Sequence, residues 1–118
     1  MNNLPVGTYK IGTANATNGV EVVVTWGGNN FYCTNIAIQA YNTAAHSGTH
    51  QVKLYNASGA LESTLMNIHL NGAATASEVI NMTPNVLLPQ SYSIRVHSTN
   101  AKTDCYCSAI GYTFPLAN

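Results

Sequence analysis

Apolar residues recur at every second position along most of this sequence, and no window shows the spacing of an amphipathic helix. Such alternation is typical of β-strands with one buried face. Clusters of Gly, Asn, Ser and Pro separate the alternating segments at intervals of about 8 to 12 residues. The pattern predicts an all-β fold, namely an antiparallel β-sandwich of about eight strands and most simply a jelly roll.

The length of 118 residues is that of a single domain, so we expect one β-sandwich over residues 1–118. A hairpin turn is predicted at Asn56–Gly59, where Asn and Ser side chains close turns by hydrogen bonding. The apolar residues of the following strand change phase, which predicts a bulge near residue 65. The predicted inward sets are Val20, Val22, Val24 and Trp26 on the first clear strand, Tyr32, Thr34, Ile36, Ile38 and Ala40 on the second, and Tyr106, Ile110, Tyr112 and Phe114 on the last.

Charge is scarce and balanced. The chain has four Lys and Arg against four Asp and Glu, and only 7 % of its residues are charged, where soluble proteins average about 25 %. Four scattered cations form no basic stripe, so we expect neither nucleic acid nor a membrane as partner. A neutral surface has little repulsion to keep copies apart, so we expect a homo-oligomer, with a trimer favoured.

Two features of the sequence indicate where the protein is located, namely its N-terminal residues and the composition of its surface. Residues 1–5 show neither the basic nor the apolar segment of a secretory signal, so we expect no signal peptide in this chain. A neutral surface rich in Asn and Thr is nevertheless typical of extracellular settings. A virion protein, assembled in the cytoplasm and exposed at lysis, would satisfy both observations, so we expect a virion-surface or extracellular location.

Catalytic patterns are not found in the sequence. The four carboxylates, Glu21, Glu62, Glu78 and Asp104, fall on different predicted strands or edges, so no acid pair and no calcium cage is expected. No nucleophile motif of the G-x-S-x-G type occurs. We therefore expect a non-catalytic protein without a cofactor.

His46 and His50 are the nearest approach to a metal-binding pair. Their spacing binds zinc on a helix, but Gly48 and the strand that begins nearby argue against a helix here. A third ligand is missing, so we expect no metal and treat both as loop histidines open to a binding role.

Three cysteines, Cys33, Cys105 and Cys107, do not have the spacing of a zinc site. Free cysteines on strands usually behave as small buried hydrophobes. The alternation places Cys33 on the same face as Phe31, and Cys105 and Cys107 on the non-core face of the last strand. If these two faces coincide, a disulfide can join Cys33 to Cys105 or Cys107.

Two segments carry a resemblance to known modules. Residues 52–61 (Val-Lys-Leu-Tyr-Asn-Ala-Ser-Gly-Ala-Leu) and 87–96 (Leu-Leu-Pro-Gln-Ser-Tyr-Ser-Ile-Arg-Val) are similar to a hairpin and a later strand of extracellular jelly-roll modules. Such modules occur in phage virion proteins, adhesins and carbohydrate-binding modules. The resemblance implies a non-catalytic binding or capping role.

Two functions remain open from the sequence. The first is a structural or interaction module on the outside of a virion, as capsid decoration or as a fibre or tail component, with other virion proteins as partners. The second is a carbohydrate-binding, lectin-like module for surface glycans, in which aromatic rings stack on sugars. The candidate binding residues are Trp26, Phe31, Tyr41, Tyr55, His46 and His50.

Overall fold

The computed structural model describes residues 7–99 and 102–115. These residues form nine strands and no helix, which confirms the predicted all-β class. The strands are β1 (Thr8–Ala16), β2 (Gly19–Thr25), β3 (Asn30–Asn42), β4 (Gly48–Tyr55), β5 (Leu61–Leu70), β6 (Ser77–Met82), β7 (Val86–Leu88), β8 (Ser93–Ser98) and β9 (Thr103–Phe114). Within these ranges there is accordingly no helix long and apolar enough to cross a membrane.

The strands form two antiparallel sheets. Sheet A has the order β1-β9-β3-β6, with β7 also paired to β3, and sheet B has the order β2-β8-β4-β5. The chain forms a long antiparallel ribbon that is folded at one central turn and wound into two sheets. Moving away from this turn, the ribbon consists of the strand pairs β4–β5, β3–β6, β2–β8 and β1–β9. This is the jelly-roll arrangement that the sequence predicts.

The turn at the tip of the ribbon is the predicted one, Asn56–Gly59. The Asn56 side-chain oxygen accepts hydrogen bonds from the backbone N–H groups of Ser58 and Ala60, at 3.0 and 3.1 Å. Gly59 has a φ of 82°, which other residues rarely adopt. Along β5, Val52 of β4 pairs with Met66 and Lys53 pairs with Thr64, so Leu65 is the extra residue of the predicted bulge.

Three further bulges were not predicted, with Val23 on β2, Thr34 on β3 and Glu62 on β5 as the extra residues. The first two reverse the faces of the residues before them. Val23 is the extra residue on β2, and as a result Val20 and Val22 are exposed rather than inward. Thr34 is the extra residue on β3 and donates its hydroxyl hydrogen to the carbonyl of Ile110. Phe31 is therefore buried, and the predicted outward position of Phe31 is wrong. The same bulge places Cys33 inward and Tyr32 outward, which is the reverse of the predicted positions.

The phase predicted for β9 is also wrong. Its inward positions hold small residues, namely Cys105, Cys107, Ala109 and Gly111, all of them buried. The large residues predicted to be inward lie at the outward positions of this strand, which are those of Tyr106, Ile110, Tyr112 and Phe114. At Gly111 there is no room for a side chain, because an added Cβ would collide with the carbonyl oxygen of Tyr32 and with the ring of Phe31.

One buried polar side chain joins two loops and the start of β9 at an end of the sandwich. Asn42, the last residue of β3, donates from Nδ2 to the carbonyls of His46, Asn71 and Ala73 at 2.9, 3.3 and 2.9 Å. Its Oδ1 accepts a 2.7 Å hydrogen bond from the buried Thr103 hydroxyl. Asn42 therefore fixes the loops after β3 and β5 to the start of β9.

Candidate functional site

Two of the predicted binding aromatics belong to the core. Trp26 is 2 % exposed and its ring stacks on that of Phe31, with centroids 4.8 Å apart. The Trp26 indole N–H donates to the carbonyl of Pro89, which satisfies its one polar group. Neither ring is accessible to a ligand, so neither can have its predicted binding role. Trp26 is buried on the inward face predicted for it, and the bulge at Thr34 turns Phe31 inward.

The other two predicted aromatics lie on opposite sides of the sandwich. Tyr41 is at an outward position of sheet A and stacks on Tyr106, with centroids 6.2 Å apart. Tyr55 is at an outward position of sheet B, where the Arg95 guanidinium lies 4.4 Å from its ring centroid. They therefore belong to two different surfaces.

The two predicted histidines do not share a surface either. His46 is exposed in the loop before β4, whereas His50 is completely buried and its Nδ1 lies 2.9 Å from the Ser98 hydroxyl. Burial lowers the pKa of His50, and the charges of His69 and His97 lower it further. Within residues 7–99 and 102–115, no three His, Cys, Asp or Glu side chains are grouped to hold a metal ion.

The predicted disulfide is wrong for this fold. All three cysteines are free and buried on the inward face of sheet A. Cys33 pairs with Gly111, which is four residues from Cys107 and six from Cys105 along β9. At about 3.3 Å per residue these separations are about 13 and 20 Å, far beyond the 4.4 to 6.8 Å between Cα atoms of a disulfide.

Burial also makes the three thiols poor nucleophiles. It raises the pKa of Cys33 and of Cys105 to about 11, and that of Cys107 to about 12. Because the thiolate is the reactive form, these groups stay protonated and inert at neutral pH.

Six of the ten exposed large hydrophobic side chains among the described residues lie on the outward side of sheet A, and the sequence analysis missed this surface. We call it the tyrosine face. Its apolar members are Tyr9, Ile11, Tyr32, Tyr41, Val79, Leu87, Tyr106, Ile110 and Tyr112. The one charged side chain at the outward positions of the described strands of this sheet is Asp104.

The register arranges this face in rows across the strands. Tyr9 pairs with Tyr112, Tyr112 with Tyr32, and Tyr32 with Leu87, so one row crosses four strands. The rings of Tyr9 and Tyr112 meet edge to face with centroids 5.7 Å apart. This row places three tyrosines and one leucine next to each other near one end of the sheet.

A second row lies further along the strands and borders a groove. It consists of Asn15, Tyr106, Gln39 and Val79 in register. The groove has a volume of about 500 Å³, and small side chains form much of its floor. Hydrogen bonding to Tyr106 and to Asp104 raises the pKa of Tyr41, which stacks on Tyr106 beside the groove, to about 12.

The sequence matches no protein-family model and no curated protein. Three solved structures align with most of the chain at low identity. A chain of Bacillus endospore appendages, described as disulfide-linked pili, aligns with a TM-score of 0.47 and 14 % identity over 97 % of this chain and 94 % of that chain. A chain of the cyanophage Pam1 capsid asymmetric unit aligns with a TM-score of 0.49 and 14 % identity, over 92 % and 86 %. The capsular polysaccharide assembling protein CapF of Staphylococcus aureus aligns with a TM-score of 0.31 and 9 % identity, over 95 % of this chain and 26 % of that chain.

Proposed function

We propose that this protein is a non-catalytic structural module that assembles with copies of itself through the tyrosine face. The observation that carries the proposal is the concentration of exposed Tyr, Ile, Leu and Val on one nearly uncharged sheet surface. Monomeric proteins rarely expose contiguous apolar patches of more than a few hundred Å². Tyrosine is also among the residues most enriched at protein interfaces.

The exposed area is large enough for such an interface. Six large side chains of the face are between 40 % and 57 % exposed, namely Tyr9, Ile11, Val79, Leu87, Tyr106 and Tyr112. At roughly 200 Å² for a fully exposed large side chain, they present about 600 Å² of surface. Each partner buries roughly 800 Å² in a standard interface, so these six side chains alone supply about three quarters of that area.

Charge supports a second copy of this chain as the occupant. A face whose outward positions hold only Asp104 as a charged residue can pack on its own copy with little repulsion, and the whole chain is neutral. Identical chains usually close into symmetric oligomers, and three-fold symmetry suits capsid decoration and fibres. We therefore expect a trimer.

The setting that we propose is the outside of a virion, with other virion proteins as further partners. The nearly charge-free composition and the resemblance of residues 52–61 and 87–96 to jelly-roll modules of such proteins support it. The non-catalytic role is supported by the wide dispersal of the four carboxylates, which lie on β2, β5, β6 and β9.

Charge substitutions at exposed positions of the face test the assembly. We expect the unmodified protein to show three times the 12.5 kDa chain mass in light scattering. Ile11→Glu and Leu87→Glu, at side chains more than half exposed, should give monomers with an unchanged circular dichroism spectrum. Val22→Glu, at an exposed position of sheet B, is the matched control and should remain assembled. A monomeric unmodified protein at micromolar concentration, or assembled Ile11→Glu and Leu87→Glu variants, would overturn the proposal.

A second candidate function, glycan binding, is favoured by the groove itself. Tyr106 offers a ring, while Asn15, Gln39 and Ser108 place amides and a hydroxyl around it. An apolar ring with a few directed polar groups is the usual composition of a small-molecule site. A glycan array distinguishes the two functions, because binding that is lost in Tyr106→Ala but kept in Leu87→Glu would favour the glycan.

A further inference from the structure

The outward side of sheet B differs from the tyrosine face because it gathers positive charge. Lys53 on β4 lies directly opposite Arg95 on β8, and these are two of the four Lys and Arg residues of the chain. Their other cross-strand partners are uncharged, namely Thr64 beside Lys53 and Val22 beside Arg95. Like charges directly opposite each other destabilise a sheet. An anion bound between them would relieve this cost.

Arg95 is held in a defined orientation. Its guanidinium lies 4.4 Å from the centroid of the Tyr55 ring, and its Nε donates a 3.1 Å hydrogen bond to the Ser93 hydroxyl. A guanidinium stacked on an aromatic ring loses less conformational entropy when it binds a ligand. The terminal NH₂ groups of Arg95 form the planar fork that matches a carboxylate.

Arg95 also forms part of a pocket of about 320 Å³ at the end of sheet B. The other polar side chains that line it are those of Thr25, Asn56, Ser91, Tyr92 and Ser93. The Asn56 amide is already hydrogen-bonded within its own turn and to Glu62. Hydroxyls around a guanidinium suit a ligand that carries hydroxyl groups as well as a negative charge. The volume lies at the lower end of the range for small-molecule pockets, which fits one sugar ring.

The loops that form this pocket are tied to each other. The Ser91 N–H donates to the Gly27 carbonyl at 2.6 Å, and the Trp26 indole fixes Pro89 in the same loop. Ser91 has a φ of 64°, an uncommon conformation for a residue other than glycine. Such conformations persist where the surrounding structure determines them, and they cluster at binding sites.

We infer that this pocket binds a carboxylate-bearing sugar residue of an acidic glycan. Arg95 binds the carboxylate with two parallel hydrogen bonds, and Lys53 adds a second positive charge beside it. The hydroxyls of Ser91 and Ser93 bind the sugar hydroxyls. The site lies on the sheet opposite to the tyrosine face, so it goes beyond the proposed assembly.

The test is calorimetric titration of the assembled full-length protein with tri-galacturonate and with its carboxyl-reduced, neutral form. We expect the acidic trisaccharide alone to bind. Arg95→Gln should weaken binding by roughly tenfold or more, because the bidentate charged contact is lost. Lys10→Gln, which removes the same charge from β1 of the other sheet, is the matched control and should bind like the unmodified protein.

Two further variants keep the test decisive if Arg95→Gln fails to fold. Lys53→Gln should weaken binding severalfold, and Arg95→Lys should bind less tightly than the unmodified protein because it lacks the planar fork. Equal binding of the neutral trisaccharide, unchanged binding in Lys53→Gln and Arg95→Lys, or equal binding of a poly-glutamate peptide would overturn the inference. The Leu87→Glu monomer should retain this binding, so the failure of the assembly proposal can be distinguished from the failure of this one.

Discussion

Replacing Asn42 with Ala is expected to destabilise the protein more than any substitution of an exposed asparagine. The side chain is 6 % exposed and accepts from Thr103, while its Nδ2 faces the carbonyls of His46, Asn71 and Ala73. The alanine variant removes these hydrogen bonds at the place where two loops meet the start of β9.

The magnitude follows from the number of hydrogen bonds that Asn42 can make. Its Nδ2 has only two hydrogens, which the three carbonyls share, and its Oδ1 accepts one more bond from Thr103. Three bonds at about 1 kcal/mol each give a loss of about 3 kcal/mol in the free energy of unfolding. The total free energy of unfolding of such a domain is about 5 to 15 kcal/mol, so this loss is a large fraction of it.

Urea unfolding followed by tryptophan fluorescence measures this loss, because Trp26 is buried in the core. With a slope of about 1.5 kcal/mol per molar urea, the midpoint of Asn42→Ala should fall by about 2 M. Asn67→Ala, at an exposed position of β5, is the matched control and should move the midpoint by less than about 0.4 M. Protein concentration is kept constant because self-association changes apparent stability. Equal shifts in the two variants would refute the reasoning.

Three other predictions concern buried groups. The fold holds the pKa of His50 below its ordinary 6.5, so the unfolded chain binds the imidazole proton at a higher pH than the folded protein does, and thermal stability should fall as the pH drops below about 6.5. His50→Gln should flatten that decline, and the exposed His46→Gln should not. Gly111→Ala should cost about 2 to 3 kcal/mol in urea unfolding, because its Cβ meets the Tyr32 carbonyl, whereas Gly28→Ala, with open space around it, should cost far less. The three buried thiols should resist iodoacetamide at neutral pH and all react in denaturant; mass spectrometry that finds fewer than three labels would contradict the free-thiol assignment.

The local features of the fold were predictable because each depends on a few neighbouring residues. Alternation with period two predicted the strands, and the Asn-Ala-Ser-Gly sequence predicted the central turn at Asn56–Gly59. The change of phase after Leu65 predicted its bulge. The bulges at Val23 and Thr34 left no such signal, because apolar or β-branched residues continue on both sides of them.

The orientation of β9 was not predictable from hydrophobicity, because both of its faces are apolar. The larger residues, such as Tyr106 and Tyr112, lie outward, and the smaller ones, such as Ala109 and Gly111, lie inward. The usual assignment of the larger hydrophobic set to the core fails for a strand whose outer face is itself an apolar surface. The glycine was the available signal, since glycine within a strand often marks a close approach of another backbone.

The candidate sites depend on contacts between residues that are distant in sequence. Arg95 and Tyr55 are brought together only by the pairing of β8 with β4, which the turn positions do not determine. The same is true of the row from Tyr9 to Leu87. Composition predicted a neutral surface but not that five of the seven tyrosines would lie on the outward side of one sheet.

The pairing of β1 with β9 also determines how the domain responds to mechanical tension. Thr8 lies opposite Thr113, so the two ends of the strand pair emerge side by side at one edge of sheet A. In an antiparallel pair the hydrogen bonds run perpendicular to the strands. A force that pulls these two ends apart therefore breaks the bonds one after another, and the pair opens at low force. Contacts between copies through the tyrosine face would share tension among many side chains at once, so the mechanical strength of a fibre or shell would come from the assembly and not from the single chain.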